Sequence, residues 1–216
     1  MIFQSRLLTE KGFAHAFPSR HETPEDVARA LDVPRIEQVR QVHGARTVVA
    51  PCGEGVEADA IVGRAGGGRI AVGVRVADCV PVLMGHEDSG DVVAIHAGWR
   101  GIVSSVLQSG LHSLGPGRVA VAIGPCIGPC CFEVGADVAG EIAKASSDAV
   151  VHRREDGRIT VDMRWAVRLQ LDALGVESDN IENVPGCTRH EADLFHSFRR
   201  DGVGSGRMLA AIVTSR

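Results

Sequence analysis

The stretch that decides the fold is Arg69–Leu114, RIAVGVRVADCVPVLMGHEDSGDVVAIHAGWRGIVSSVLQSGLHSL. It reads as two strands and a helix, with its polar chemistry gathered where the strands stop. Residues 70–76 form an apolar run that breaks at Ala77-Asp78-Cys79, and Val92–Ile95 form a second that breaks at His96-Ala97-Gly98-Trp99-Arg100-Gly101. Runs of β-branched and aliphatic residues of this length predict buried strands. After them, Ile102, Val103, Val106, Leu107, Leu111 and Leu114 recur at helical spacing. Reactive side chains in such sheets concentrate where a strand gives way to a loop. Asp78, Cys79, His96 and Arg100 all hold such positions, and Gln41-Val42-His43-Gly44 supplies another histidine at a predicted strand end.

Working outward, Ile2–Leu8 and Phe13–Phe17 predict strands on either side of Lys11-Gly12. Thr23-Pro24-Glu25-Asp26 is a helix start, with Thr23 as cap, Pro24 in the first turn and two carboxylates at the positive end of the helix dipole. That helix is expected to reach Leu31, before Pro34. Strands are predicted at Val39–His43, Thr47–Val49, Ala58–Val62, Arg118–Ile123, Ile181–Val184 and Met208–Val213. Glu133–Ala145 and the segment from Asp162 to Gly175 predict helices, and Val151–Thr160 a hairpin turning at Asp156-Gly157. The pattern is α/β, and 216 residues without repeat or linker predict one domain spanning 1–216.

Composition excludes several functions. A formal net charge of −4, a sequence pI near 6.1 and scattered arginines argue against a nucleic-acid partner bound through a basic surface. No apolar run approaches the ~20 residues of a membrane span, and MIFQSRLLTEKG lacks the form of a secretory leader. The expectation is a cytoplasmic protein, as a monomer or small homo-oligomer. The 6 cysteines then read as thiols rather than a disulfide framework. Cys126, Cys130 and Cys131 have no matching pair elsewhere and read as small buried residues near a Gly-Pro turn, whereas Cys187 follows a strand and opens a polar segment.

The residues allow two chemistries. His43, Cys79 and His96 can hold a zinc ion through two imidazoles and a thiolate, leaving a position for water whose pKa the metal lowers. Alternatively, Cys79 is a nucleophile with His96 as its base and Asp78 or a backbone carbonyl orienting the imidazole. Only the metal needs His43. Separately, Gly98 and Gly101 at a helix start, with Arg100, form a candidate phosphate or carboxylate site, and the bland alternative is a sharp turn. Copper chemistry is not expected, because no two of the 9 His are separated by a single residue, as paired ligands of blue copper oxidases are.

Taken together, QVHG (41–44), ADA (58–60), ADC-P (77–81), HAGWRG (96–101), IGPCIGPCCFEVG (123–135) and CTRHEADLFHSFRRDG with GRM (187–208) resemble the bacterial YfiH family of laccase-domain or peptidoglycan-editing-factor proteins. The resemblance spans nearly the whole chain. It implies a layered α/β/β/α sandwich with mixed sheets, related to necrotizing-factor-like cysteine hydrolases, and zinc held by His43, Cys79 and His96. It also implies phosphorolysis of adenosine- or inosine-type nucleosides and adenosine deamination, with nucleoside and phosphate as ligands. Asp78 and Asp59 are then candidates for moving protons, and Arg100, Gly98, Gly101, Arg20 and Gln41 for binding substrate or phosphate. A metal-free cysteine hydrolase or amidase and a non-catalytic editing factor are the alternatives. The chain departs from the family at Phe132, where Tyr is usual, and at His15–Arg20, where a Gly-Gly-Val-Ser loop is missing.

Overall fold

The computed structural model describes residues 1–215. Along the chain run β1 (Ile2–Phe3), α1 (Arg6–Glu10), β2 (His15–Pro18), α2 (Pro24–Ala30), β3 (Thr47–Val49), β4 (Ala60–Gly63), β5 (Ala71–Val76), β6 (Val80–His86) and β7 (Val92–Ala97). There follow α3 (Trp99–Val103), α4 (Val106–Ser113), β8 (Val119–Ile123), α5 (Ala136–Ala145), β9 (Val151–Arg153), β10 (Ile159–Val161), α6 (Met163–Ala173), β11 (Ile181–Asn183), α7 (Phe198–Asp201) and β12 (Met208–Val213).

Two sheets carry the architecture. A six-stranded mixed sheet has the order β11-β8-β6-β7-β4-β3, parallel at its two outer pairings and antiparallel between them. A four-stranded antiparallel sheet has the order β1-β2-β12-β5. Period-two alternation sends Val80, Val82, Met84, Val93, Ile95, Val121 and Ile123 to a core shared with α3, α4, α5 and α6. Their neighbours Leu83, Val92, Ala94, Ala120 and Ala122 meet Val72, Val74, Ala210 and Ile212 of the smaller sheet. The far face of that sheet is covered by α2 through Val27 and Leu31. The layers are therefore α/β/β/α, with mixed and antiparallel sheets at the centre.

Small residues set the spacing between the sheets. A Cβ at Gly85 would lie 2.5 Å from the Phe13 ring, and one at Gly124 would lie 2.3 Å from Phe17. Both rings are buried and fill the space those glycines leave.

Several expectations need correction. The segment Arg69–Leu114 holds three strands and two helices. Val80–His86 is a central strand, and the helix breaks at Ser104-Ser105, where Ser105 takes a left-handed conformation at φ 66°. The first predicted strand ends at Phe3, because Ser5 caps α1 by accepting the Leu8 N–H. Val39–His43 is no strand. Arg40 makes only an isolated bridge to Glu57, and Gln41 clasps β5, donating to the Arg75 carbonyl and accepting its N–H. By contrast, Thr23 and Asp26 form the expected reciprocal cap of α2, and β9 and β10 form the expected hairpin.

Candidate metal centre

β6 and β7 pair antiparallel with Val80 opposite Ala97, so the start of one and the end of the other bring Cys79 and His96 to the same edge. His43 arrives from the turn after Gln41. Ligating atoms of His43, Cys79 and His96 all lie within 4.8 Å of one another, and the two imidazoles meet edge to face with centroids 4.8 Å apart. Gly98 leaves room for this cluster. A Cβ there would be 3.0 Å from His43 Cδ2 and 3.2 Å from Cys79 Sγ.

Asp59 organises the centre from behind. Its carboxylate is fully buried. Oδ1 accepts the His43 backbone N–H at 2.9 Å and faces His96 Nδ1 at 2.8 Å, while Oδ2 accepts the Gly44 and Val42 N–H groups at 2.7 and 3.3 Å. One carboxylate thus fixes the turn that carries His43 and the ring orientation of His96. With Nδ1–H committed to Asp59, Nε2 of His96 is left as its ligating atom, the arrangement by which carboxylates orient metal-bound histidines. Burial works against ionising Cys79, but hydrogen bonds from His43 and His96 outweigh it and bring the thiol down to about 6. Burial likewise opposes charge on His96, and Asp59 and Cys79 overcome it, raising the imidazole to about 9. Two imidazoles and a thiol already inclined to ionise are a donor set suited to zinc. The residues present fit the ion.

The cluster opens into a cavity of about 480 Å³, lined also by Gln41, Arg75, Asp78, Ile127, Phe132, Phe198, Arg199 and Arg207. That volume lies within the range of small-molecule sites. Three guanidinium groups make this wall cationic. Arg199 stands over Phe132 at 5.2 Å and Arg207 over Phe198 at 5.6 Å, while Arg75 Nε donates to Gln38. A cleft of similar volume between His112–Val119 and Leu174–Asn180 gathers no metal-ligating cluster.

Of the residues singled out in the sequence, His43, Cys79, His96, Asp78 and Gln41 line the cavity. Asp78 does so with both oxygens engaged: Oδ1 accepts the Thr188 hydroxyl and Oδ2 the Arg199 N–H, each at 2.6 Å. Arg100 lies outside the lining, its guanidinium 4.4 Å above its own neighbour Trp99. Arg20 is also outside, donating to the Ala192 carbonyl. Gly98 and Gly101 serve close packing, the latter against the Gly44 carbonyl, 3.0 Å from where a Cβ would stand. Missed in the sequence were Arg75, Arg207 and Phe198, and the role of Asp59 as the orienting carboxylate. Arg75 had a readable signal, as the one charged residue in the otherwise apolar strand AVGVRV.

Residues 21–215 match the family model described as multi-copper polyphenol oxidoreductase laccase. The chain belongs to this laccase-domain (YfiH) family. Among relatives, it is 38% identical over 167 residues to adenosine deaminase RL5 of an unknown prokaryotic organism, covering 74% of this chain and 62% of that protein. It is also 38% identical over 180 residues to a purine nucleoside phosphorylase of Deinococcus radiodurans, covering 81% of this chain and 68% of that protein. The matched part is less than two thirds of the length of the first of these relatives, at 62%. The crystal structure of YlmD from Geobacillus stearothermophilus superposes with a TM-score of 0.80 at 27% identity, covering 96% of this chain and 93% of that one. Among the described residues no helix is long and apolar enough to cross a membrane.

Proposed function

We propose that the chain is a zinc-dependent purine nucleoside enzyme that cleaves adenosine- or inosine-type nucleosides with phosphate, and that also deaminates adenosine. The observation that carries this reading is one cavity walled by the His43–Cys79–His96 cluster, three arginines and two phenylalanines. The names of the two relatives agree with it.

Phosphorolysis joins a phosphate oxygen to C1′ of the ribose as the bond from C1′ to the base breaks, and the departing purine takes up a proton. Arg75, Arg199 and Arg207 supply charge that binds phosphate and steadies it for in-line attack. Phe132 and Phe198 offer apolar faces for the base and exclude water around it. His43, Cys79 and His96 would hold the ion, which when bound supplies Lewis-acid stabilisation of developing negative charge. Asp78 is the carboxylate in the lining. Its bonds to Thr188 and Arg199 hold Arg199 against the cavity, so in this chemistry it positions rather than carries protons.

A second reading draws on the same geometry. Cys79, His96 and Asp59 are arranged as nucleophile, base and orienting carboxylate, as the implied kinship with cysteine hydrolases would require. His43 separates the two. The test is an assay of base release from adenosine and inosine with and without phosphate, with metal content measured on the same sample. Expected are phosphate-dependent release and close to one zinc per chain, both lost in Cys79→Ala and His43→Ala. Full turnover in His43→Ala without metal favours the cysteine hydrolase, and full turnover in Cys79→Ala overturns both readings.

A further inference from the structure

Two segments far apart in the chain bring three thiols together outside the centre described above. Cys130 and Cys131 sit in the turn after Gly128, and Cys187 follows β11. Cys130 Sγ lies 3.4 Å from Cys131 Sγ and 3.6 Å from Cys187 Sγ, and all three sulfurs fall within 4.8 Å of one another. All three are free thiols. Two thiolates sharing one tetrahedral ion at a metal–sulfur distance of ~2.3 Å stand ~3.8 Å apart, so the spacing already approaches that of a ligand set.

The surroundings are built for sulfur that carries charge. The Gly128 N–H donates to Cys187 Sγ at 3.2 Å. A Cβ at Gly128 would stand 3.4 Å from the sulfurs of both Cys130 and Cys187, at ordinary contact distance, so the backbone there lies against the cluster. The Cys187 N–H is held by Glu191 at 2.6 Å, which fixes the start of the second segment. Cys126, close by in sequence, is different: it is fully enclosed, and burial pushes its thiol up to about 11. It remains a neutral packing group. Cys130, in contrast, is exposed, so an ion has a route in.

We propose that Cys130, Cys131 and Cys187 form a second metal site, which takes a thiophilic cation with a filled d shell, Zn²⁺ or Cu⁺, through three thiolates. Sulfur donors in this number select such ions over Mg²⁺ or Ca²⁺. Three thiols so close cannot all ionise without a cation among them. A bound ion offsets the repulsion among the three sulfurs. Binding ties the Gly128–Phe132 turn to the segment that opens at Cys187. Ile127 and Phe132 belong to one wall of the cavity, and Thr188 bonds Asp78 on the same side. The ion would therefore brace the cavity wall without touching the first centre. This inference stands independently of the nucleoside reading.

The test begins with the His43→Ala/Cys79→Ala double variant, which disables the first centre. Kept reduced with a phosphine and stripped by a chelator, it is titrated without oxygen with Cd²⁺ as a probe of thiolate ligation. Parallel arms use Zn²⁺ and Cu⁺ against coloured competing chelators. Expected is an ultraviolet thiolate-to-cadmium charge-transfer band that saturates at one equivalent. Cys130→Ser and Cys187→Ser each remove that endpoint, Cys52→Ser leaves it, and at least one of the Zn²⁺ and Cu⁺ arms also saturates at one equivalent. If the double variant does not fold, the native chain is expected to bind two equivalents and Cys187→Ser one. A band that survives both serine variants, the absence of a band, or failure of both Zn²⁺ and Cu⁺ to displace their chelators overturns the proposal.

Discussion

Replacing Asp59 with Asn tests the centre while changing almost no volume. The carboxylate receives donors at both oxygens: His43 N–H and His96 Nδ1–H at Oδ1, Gly44 N–H and Val42 N–H at Oδ2. An amide has one oxygen, so whichever way it turns its NH2 group faces two donors. Charge-assisted hydrogen bonds contribute about 1.5–3 kcal/mol each, and a buried donor left without an acceptor costs about 1–3 kcal/mol. Because the site is fully buried, the loss lands at about 3–5 kcal/mol in total, the range for breaking a buried charged network. Metal affinity takes a share of this. Removing an orienting carboxylate lowers affinity about 10–100-fold, or about 1.4–2.8 kcal/mol. Urea unfolding of the stripped protein and competition with a zinc chelator measure the two parts separately. The Asp59 carboxyl, although buried, is held below its ordinary value by His96 and the backbone donors. Its contribution to stability is therefore present above the usual carboxylate value of 3.8 and is lost as pH falls below it. Asp59→Asn should flatten that acid limb. If Asp59→Asn unfolds at the native urea concentration and binds zinc with native affinity, the carboxylate does not organise the centre and the reasoning fails.

Other consequences follow from the same contacts. Between about 6, where Cys79 ionises, and about 9, where His96 loses its proton, the stripped centre holds a thiolate and an imidazolium. Zinc binding near pH ~8 should then release about one proton per ion, displaced from His96, as measured by calorimetry in buffers of different ionisation enthalpy. Release of two protons would place a neutral thiol at Cys79. Gly85→Ala drives a methyl into the Phe13 ring and should cost about 1–3 kcal/mol. Phe13→Leu in the same chain should recover part of that cost, and strict additivity in denaturant melts would count against the contact. Glu182 accepts the Ser5 hydroxyl at 2.5 Å and the Leu7 N–H at 2.7 Å, which hold its carboxyl low against the opposing effect of burial. The stability it adds is present above its ordinary 4.5 and is lost as pH falls through the lowered value. Glu182→Gln should narrow the stability difference between neutral and acid solution, and an unchanged pH profile would refute the linkage.

What could be read from the sequence follows from how local each signal is. The cap of α2 lies within Thr23–Asp26 and the β9–β10 hairpin around one Asp-Gly pair, so both were legible. β6 was not. It is buried on both faces and so shows no alternation, and Pro81 near its start reads as a strand breaker. At the helix break, marked by Ser105 at φ 66°, a distant segment meets the chain: Gln170 Nε2 donates to the Ile102 carbonyl at 3.1 Å. His43, Cys79 and His96 were legible because each ends a strand or turn in a motif. The arginines of the cavity come from β5, from α7 and from the loop before β12, and only the folded chain brings them together. The same holds for Cys187 and the Cys130–Cys131 pair.

Backbone strain also bears on Asp78. Two residues of the cavity lining, His43 at φ 61° and Asp78 at φ 91°, take left-handed conformations that side chains disfavour. Such strain costs about 1–3 kcal/mol per residue and persists only where surrounding contacts enforce it. At His43 the enforcing contact is the Asp59 carboxylate on its N–H. Asp78 enforces its own: its carboxylate takes Thr188 and Arg199, and its carbonyl accepts the Ile127 N–H at 3.0 Å. Those three bonds join β6 to two other walls of the cavity, the one carrying Phe132 and the one carrying Arg199. Both oxygens of the group are held in place by these partners, which suits a brace. Asp78→Asn should therefore bind zinc at native stoichiometry and lower turnover by the same factor across the pH–rate profile. Loss of one limb of that profile would instead identify Asp78 as the acid or base, and the brace would not be its role.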